Sequence, residues 1–122
     1  MIYELAIVAR HDLNDKEVAT YSSMVMEVAK ANNGDILVED NWGSMQFAQN
    51  TASGAKGGHY LYYIIKAGGG ANLEFTRRLG INEDVMRHLI IKLGEDRDAD
   101  KIVKGYKCPF SKKYQGSVLD DT

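Results

Sequence analysis

Few residues in this sequence have the types and spacing that metal binding or catalysis requires. The three histidines, His11, His59 and His88, have no second ligand at a metal-binding spacing, and Cys108 has no cysteine partner. Zinc and iron sites use several Cys and His residues at short, characteristic spacings. The sequence therefore predicts no metal and no cofactor, and a single cysteine fits a reducing compartment.

Other residue types that enzymes use are present without the context that catalysis needs. Gly68-Gly69-Gly70 lacks the spaced glycines and the Lys-Ser/Thr ending of a phosphate-binding loop, so we interpret it as a flexible turn. No serine lies in a motif typical of an activated nucleophile. An acylphosphatase-like site would need an anion-binding loop after the first strand, where Arg10 is followed by His11-Asp12. The sequence predicts a protein without enzymatic activity.

The stretch Gly57–Ala67 predicts a long central strand, because it is dense in aromatic and β-branched residues. Alternation directs Tyr63 to one face of the strand and Tyr60 and Tyr62 to the other. These tyrosines have two interpretations, which both remain open. They are core and subunit contacts, or they stack on bases as in RNA-recognition-motif domains.

The elements that would position these residues follow the order β-α-β-β-α-β. Strands are predicted over 2–10, 35–39, 57–67 and 85–93, and helices are predicted to start at caps Asn14 and Asn72. Right-handed crossovers then give an α+β, ferredoxin-like fold, a four-stranded antiparallel sheet with two helices on one face. The second strand is expected to break at Asp40–Gly43. The other face of the sheet is left with uncovered apolar groups.

Length and composition agree with one soluble domain. The chain has 122 residues, 44% of them hydrophobic and 26% charged, and no apolar run of membrane-spanning length. We predict a ferredoxin-like domain over 1–93 and an extended C-terminal tail over 94–122. The net charge of −2 gives no overall attraction to nucleic acid, so RNA binding would need a local patch.

Basic residues near the first and last strands are candidates for such a patch. Because these strands are neighbours in the predicted sheet, Arg10, Arg87 and Lys92 are expected to converge near one edge. Arg77 and Arg78 lie on the second predicted helix. A solvated face and a phosphate-positioning patch both remain open as interpretations.

Several local strings resemble the small-subunit ribosomal protein six family. Glu39-Asp40-Asn41-Trp42-Gly43 is similar to its Glu-Asn-Trp-Gly motif, with one residue inserted. Lys56-Gly57-Gly58-His59-Tyr60 is similar to its entry into strand three. Most specific is the string from Arg77 to Arg87, which resembles Arg-x-x-x-Ile-Asn-Glu-Asp-Val-Leu/Met-Arg. With Tyr3-Glu4 at the start, the resemblance covers roughly residues 2 to 93.

The resemblance implies a non-enzymatic protein of the small ribosomal subunit that pairs with ribosomal protein eighteen and contacts small-subunit rRNA. The residues expected to contact rRNA are Tyr3, Arg10, Arg77, Arg78, Arg87 and Lys92. The residues expected to contact the partner protein are Ile36, Val38, Trp42, Met45 and Phe47. Other ribosomal proteins are expected along the tail, and no membrane is implied.

Two stretches depart from the family's pattern. Gly43–Gln49 carries no basic residue, and the tail from Gly94 is not the acidic tail common in bacterial members. These departures favour a mitochondrial ribosome over a bacterial one. The alternative function is a free-standing RNA-recognition-motif-like domain that binds single-stranded RNA through Tyr60 and Tyr62.

Overall fold

The computed structural model describes residues 1–46 and 57–106 and contains one four-stranded antiparallel sheet. The elements are β1 (Ile2–Ala9), α1 (Asp15–Ala31), β2 (Asp35–Gln46), β3 (Gly57–Lys66), α2 (Gly70–Gly80), β4 (Val85–Gly94), a 3-10 turn (Asp96–Asp98) and α3 (Ala99–Gly105). The strand order is β2-β3-β1-β4, with every neighbouring pair antiparallel. The ferredoxin-like fold is confirmed, and so is the pairing of the first strand with the last.

Helices α1 and α2 cover one face of the sheet. Alternate residues of β1 and β3, such as Leu5 and Ile65, point to this face and are 0% exposed. Phe75 of α2 is also 0% exposed and belongs to the same cluster. We call this cluster the helix-side core: Leu5, Ile7, Ala9, Tyr21, Val25, Val28, Ala29, Leu61, Tyr63, Ile65, Ala67, Ala71, Phe75 and Leu79.

Local signals fix both ends of α1. The Asn14 side chain accepts a hydrogen bond from the Glu17 amide at 2.8 Å, and the Glu17 carboxylate accepts one from the Asn14 amide at 3.1 Å. This capping box satisfies two amides that would otherwise lack helical partners. At the other end Asn33 has φ 63°, the left-handed conformation that ends a helix. The predicted helix limits are confirmed.

The prediction that β2 breaks at Asp40–Gly43 is wrong, because β2 continues to Gln46. Two register shifts against β3, between Ile36 and Val38 and between Asn41 and Gly43, take the place of the break. At the second shift Gly43 has φ 84°, and its amide donates to the Asn41 side chain at 2.9 Å. A bulge of this kind bends a strand without ending its pairing.

The start of α2 and the structure of the segment after β4 also differ from prediction. Helix α2 begins at Gly70, two residues before the predicted cap Asn72. The segment after Gly94 is not extended at its start, because it forms the 3-10 turn and α3. The Asp98 side chain accepts a hydrogen bond from the Glu95 amide at 2.9 Å, which starts this helical segment as a capping box does. The division into residues 1–93 and 94–122 stays a prediction.

Candidate interaction surfaces

The face of the sheet opposite α1 and α2, which we call the open face, carries its own apolar cluster. Ile2, Tyr62 and Ile64 are buried there at 5% exposure or less. The half-buried apolar residues that pack against them are Ala6, Leu37, Val38, Trp42, Ala99, Ile102 and Tyr106. Three of these seven come from the segment that follows β4. The chain therefore covers part of its own open face.

We call the covering segment, Glu95–Tyr106, the strap. It leaves the sheet at Gly94, where an added Cβ would lie 2.8 Å from the Asp98 Oδ2 and 3.2 Å from the Ile102 Cδ1. This tight approach turns the chain back across the open face. Ala99, Ile102 and Tyr106 follow one another at the spacing that aligns residues on one side of a helix.

Three aromatic rings meet where the strap ends. The Tyr62 ring stacks on Trp42 with centroids 4.8 Å apart and on Tyr106 with centroids 4.9 Å apart. Trp42 Nε1 donates a hydrogen bond to the Tyr106 hydroxyl at 3.0 Å, and that hydroxyl donates to Asp40 Oδ2 at 2.8 Å. One donor, one acceptor and one aromatic plane therefore bind the Tyr106 side chain. We call Asp40, Trp42 and Tyr62 the tyrosine-binding site.

Tyr62 lies beneath this contact, and its hydroxyl has a hydrogen-bond partner of its own. It is 5% exposed, and its hydroxyl donates to Glu4 Oε1 at 2.5 Å. Burial, followed by this bond to the Glu4 carboxylate, raises the pKa of Tyr62 well above its ordinary value. Tyr60 is half-buried, with its ring centroid 6.5 Å from that of Trp42. Tyr62 is therefore a covered ring in this structure, and base stacking would require the strap to leave.

The rest of the open face, along β4, is exposed. Leu89 is 54% and Ile91 is 43% exposed, and they lie opposite Ala6 and Glu4 of β1. Arg87 is exposed on the same face and forms no ion pair within residues 1–46 and 57–106. Among the described residues, the open face therefore has a covered aromatic half and an uncovered apolar half that includes Arg87.

The residues predicted to bind a partner protein do not all lie on one face. Val38 and Trp42 belong to the open face, whereas Ile36 packs against the helix-side core. Strand alternation alone would place Ile36 and Val38 on one face, but the register shift between them puts them on opposite faces. Met45 lies in β2, but its side chain is outside the described part of the chain, and Phe47 is outside it altogether.

Arg10 lies within an acidic group at the end of β1. Its guanidinium pairs with Asp12 at 2.9 Å, with Asp84 at 3.2 Å and with Glu17. The Arg10 side chain is 34% exposed. This cation holds the β1–α1 turn against the start of β4, and its charge is balanced within the chain.

Arg77 and Arg78 share one carboxylate on α2. Glu74 Oε2 lies 2.7 Å from Arg77 and 2.5 Å from Arg78, which also pairs with Glu27 at 2.8 Å. Hydrogen bonds from Arg77 and then Arg78 lower the pKa of Glu74 to about 2. The two guanidinium groups therefore stay at the surface of the helical layer and away from the open face.

The predicted convergence of Arg10, Arg87 and Lys92 is wrong. Lys92 is opposite Tyr3 and Arg87 is opposite Val8, so the two are about 17 Å apart at roughly 3.4 Å per residue. Alternation also turns them to opposite faces. Lys92 pairs instead with Glu95 at 2.5 Å, and Tyr3 is buried at 4% exposure with its hydroxyl 3.2 Å from Met1 Sδ.

Sequence reasoning missed the strap, and with it Asp40 and Tyr106. The spacing of Ala99, Ile102 and Tyr106 was a usable signal, although charged residues surround it. Within residues 1–46 and 57–106 no three His, Cys, Asp or Glu side chains are grouped as a metal ion would need. In the same ranges, no helix combines the length and apolar character needed to cross a membrane.

Comparisons with known proteins agree with the fold. The family profile described as ribosomal protein S6 matches residues 2–92. The small ribosomal subunit protein bS6 of Anaplasma marginale is 33% identical over 104 residues, covering 85% of this chain and 89% of its own. That of Ehrlichia canis is 31% identical with the same coverage. The crystal structure of 30S ribosomal protein S6 from Thermotoga maritima has a TM-score of 0.60 and 18% identity, and covers 84% of this chain and 94% of its own.

The extent of these matches identifies the family. The matched residues run from the start of β1 to Lys92 in β4, so they include all of β1, β2 and β3, most of β4, and both helices that cover the sheet. The relatives are bacterial, and they give no support to the predicted preference for a mitochondrial ribosome. The chain belongs to the ribosomal protein S6 family, whose members are structural proteins and not enzymes.

Proposed function

We propose that this protein is a structural component of the small ribosomal subunit that contacts small-subunit rRNA and pairs with ribosomal protein eighteen. The observation that carries the proposal is the family match over residues 2–92, which spans all four strands. Relatives named as small ribosomal subunit proteins support the location. The surfaces of the chain suit binding better than catalysis, because the open face offers apolar, aromatic and charged groups over a broad area.

Among the predicted rRNA contacts, the structure favours Arg87 and then Arg77, because Arg10 and Arg78 are each held by more than one carboxylate. Arg87 is exposed and free of ion pairs within the described residues, so it is available to a phosphate. Arg77 is paired with Glu74, but its side chain is 60% exposed. Exposed ion pairs contribute about 0 to 1 kcal/mol, so a phosphate can compete for such an arginine. Tyr3 is the weakest candidate, since its side chain is buried.

The partner-protein contact is supported by the position of Trp42 and Val38 on the open face. Both side chains are half-buried and pack at the margin of the Ile2, Tyr62 and Ile64 cluster. They lie on β2, an edge strand of the sheet, where a second protein can approach from the side. Aromatic and apolar side chains are enriched in the core of protein interfaces.

Sedimentation of the native protein tests the proposed function. A lysate is run on sucrose gradients at low and then high salt, and the protein and ribosomal protein eighteen are followed by immunoblotting. We expect both to move with the small subunit, and to remain there at high salt. Recovery of this protein only in the light fractions at both salt concentrations would contradict the proposal.

Binding to a small-subunit rRNA fragment tests the arginines separately. We expect Arg87→Ala to weaken binding and to reduce the slope of log affinity against log salt by about 0.7 to 0.9, as loss of one phosphate contact does. Lys30→Ala is the matched control, since Lys30 is exposed on α1 away from the predicted set. Equal slopes for wild type and Arg87→Ala would remove Arg87 from the interface.

A further inference from the structure

The strap occupies the most aromatic part of the open face. Its terminal side chain, Tyr106, stacks on Tyr62 and takes up the hydrogen-bonding capacity of Trp42 Nε1 and one oxygen of Asp40. Trp42 belongs to the surface proposed above for the partner protein, and Tyr62 and Asp40 lie beside it. A partner that uses Trp42 therefore meets a place already filled by the chain itself.

The strap is held by contacts of low individual strength. None of its residues is fully buried, and α3 has only 7 residues, too few for a helix to be stable without packing. The ion pair between Lys92 and Glu95 has side chains that are 48% and 47% exposed, so it adds little. Short segments with few buried contacts open locally without unfolding the rest of a protein. The Met1 amino group also lies 2.5 Å from Asp96 Oδ1 of the strap, in a pair that is 35% and 58% exposed. Ala99, Ile102 and Tyr106 supply the packing against the open face.

The part of this surface around the Trp42 and Tyr62 rings is negatively charged. Asp40 and Glu4 place carboxylates beside the Trp42 and Tyr62 rings, and neither carboxylate has a cationic partner in residues 1–46 and 57–106. Two carboxylates repel phosphates. They attract a guanidinium or ammonium group, which also binds favourably over an aromatic face. A basic protein segment suits this surface better than RNA.

We propose that the strap is an intramolecular cover, in which Tyr106 occupies the tyrosine-binding site until a basic segment of a partner protein displaces it. The inference rests on the proposed function only in its choice of partner, ribosomal protein eighteen. Opening of the strap pivots at Gly94 and leaves the helix-side core intact. The fraction of time that the strap is closed sets how far the apparent affinity for the partner is reduced.

Trp42 is the single tryptophan of the chain, so its fluorescence reports on the cover directly. Acrylamide quenching is measured on the full-length wild type, Tyr106→Phe, Tyr106→Ala and the control Lys101→Ala, whose residue is exposed on α3. We expect the quenching constant to rise about twofold in Tyr106→Ala, less in Tyr106→Phe, and not at all in the control. Equal quenching constants in all four proteins would contradict the proposal that the strap shields Trp42.

Titration with purified ribosomal protein eighteen from the same source tests displacement. We expect Tyr106→Ala to bind it about tenfold more tightly than wild type does, as for a cover that is closed nine-tenths of the time. Equal or weaker binding by Tyr106→Ala would overturn displacement while supporting the proposed partner. No binding by any variant would overturn both the proposed partner and its displacement of the strap. Binding of a poly(U) oligonucleotide by Tyr106→Ala in place of the protein would also overturn the inference, and would favour RNA.

Discussion

The two faces of the sheet are covered by different kinds of element and to different extents. On the helix-side face, 28 residues of α1 and α2 cover side chains such as Leu5, Ile65 and Phe75, which are 0% exposed. On the open face a short strap covers only the aromatic half, and Leu89 stays 54% exposed. The first face is a framework that determines the fold. The second is a surface whose cover, as proposed above, a partner protein can displace.

Neighbouring tyrosines on β3 show the same contrast. Tyr63 points to the helices, where its hydroxyl lies 3.0 Å from Ser22 Oγ, and burial raises its pKa to about 12. Tyr62 points to the open face and is buried beneath Tyr106. Both hydroxyls stay protonated at neutral pH. Tyr63 is secured by the framework, whereas the burial of Tyr62 depends in part on a segment that can open.

Phe75→Ala should have the largest effect, because it removes a fully buried ring from the helix-side core. We expect a loss of about 3 to 5 kcal/mol in the free energy of unfolding, measured by urea denaturation. Leu73→Ala on the same helix is the control, since Leu73 is 77% exposed. A loss below 1 kcal/mol for Phe75→Ala would show that this face is not the framework.

Gly34→Ala should come next. An added Cβ would overlap the Lys66 carbonyl group and lie 2.8 Å from the Ala67 Cα, both of them backbone. We expect a loss of about 1 to 3 kcal/mol, since the link between α1 and β2 must shift away from β3. Thermal unfolding provides the measurement. Gly80→Ala has open space around the new methyl group and should change little; equal effects at the two positions would contradict the overlap.

Asn14→Ala should cost about 1 kcal/mol, because it removes the side-chain acceptor of the α1 capping box. Asn14→Asp keeps an acceptor oxygen and serves as the matched control. Both variants are compared with wild type by urea denaturation. If Asn14→Ala were as stable as wild type, the helix would not depend on this cap.

Substitution of His59 should have the smallest effect on stability, and the effect should appear only when the pH is lowered. Burial lowers the pKa of His59 below its ordinary 6.5, so the unfolded chain binds more protons than the folded chain between the two pKa values. This contribution to stability is complete above pH 6.5 and falls as pH drops toward the folded pKa, by less than about 1.4 kcal/mol per pH unit. Unfolding free energies of wild type and His59→Gln from pH 7.5 to 5 should show a steeper decline in wild type; parallel curves would contradict it.

The features that sequence predicted well are local or strictly alternating. The alternation over β3 predicts both faces of that strand, and Asn14 with Glu17 predicts where α1 begins. The features it missed depend on a partner strand or a distant surface. The bulge between Ile36 and Val38 exists only relative to β3, so its reversal of faces is invisible along the chain.

The residues of the open face were also predicted only in part, because some of their contacts involve residues far apart in the sequence. Of the predicted partner contacts, Trp42 and Val38 lie on the open face, whereas Ile36 packs against the helix-side core. Tyr106 was interpreted as part of an extended tail, because its stacking partner Tyr62 is 44 positions earlier in the chain. The ion pair between Arg10 and Asp84, at the start of β4, likewise forms only on folding and could not be predicted from the local sequence.

Native-state hydrogen exchange compares the two faces most directly. The amides of α3 and those in the centres of β1 and β3 are followed in the free, full-length protein under conditions that favour folding. We expect the α3 amides to exchange through local opening, at a free energy several kcal/mol below that of the strand amides. If the α3 amides exchanged only with global unfolding, at the same free energy as β1 and β3, the strap would be part of the framework and the distinction between the two faces would fail.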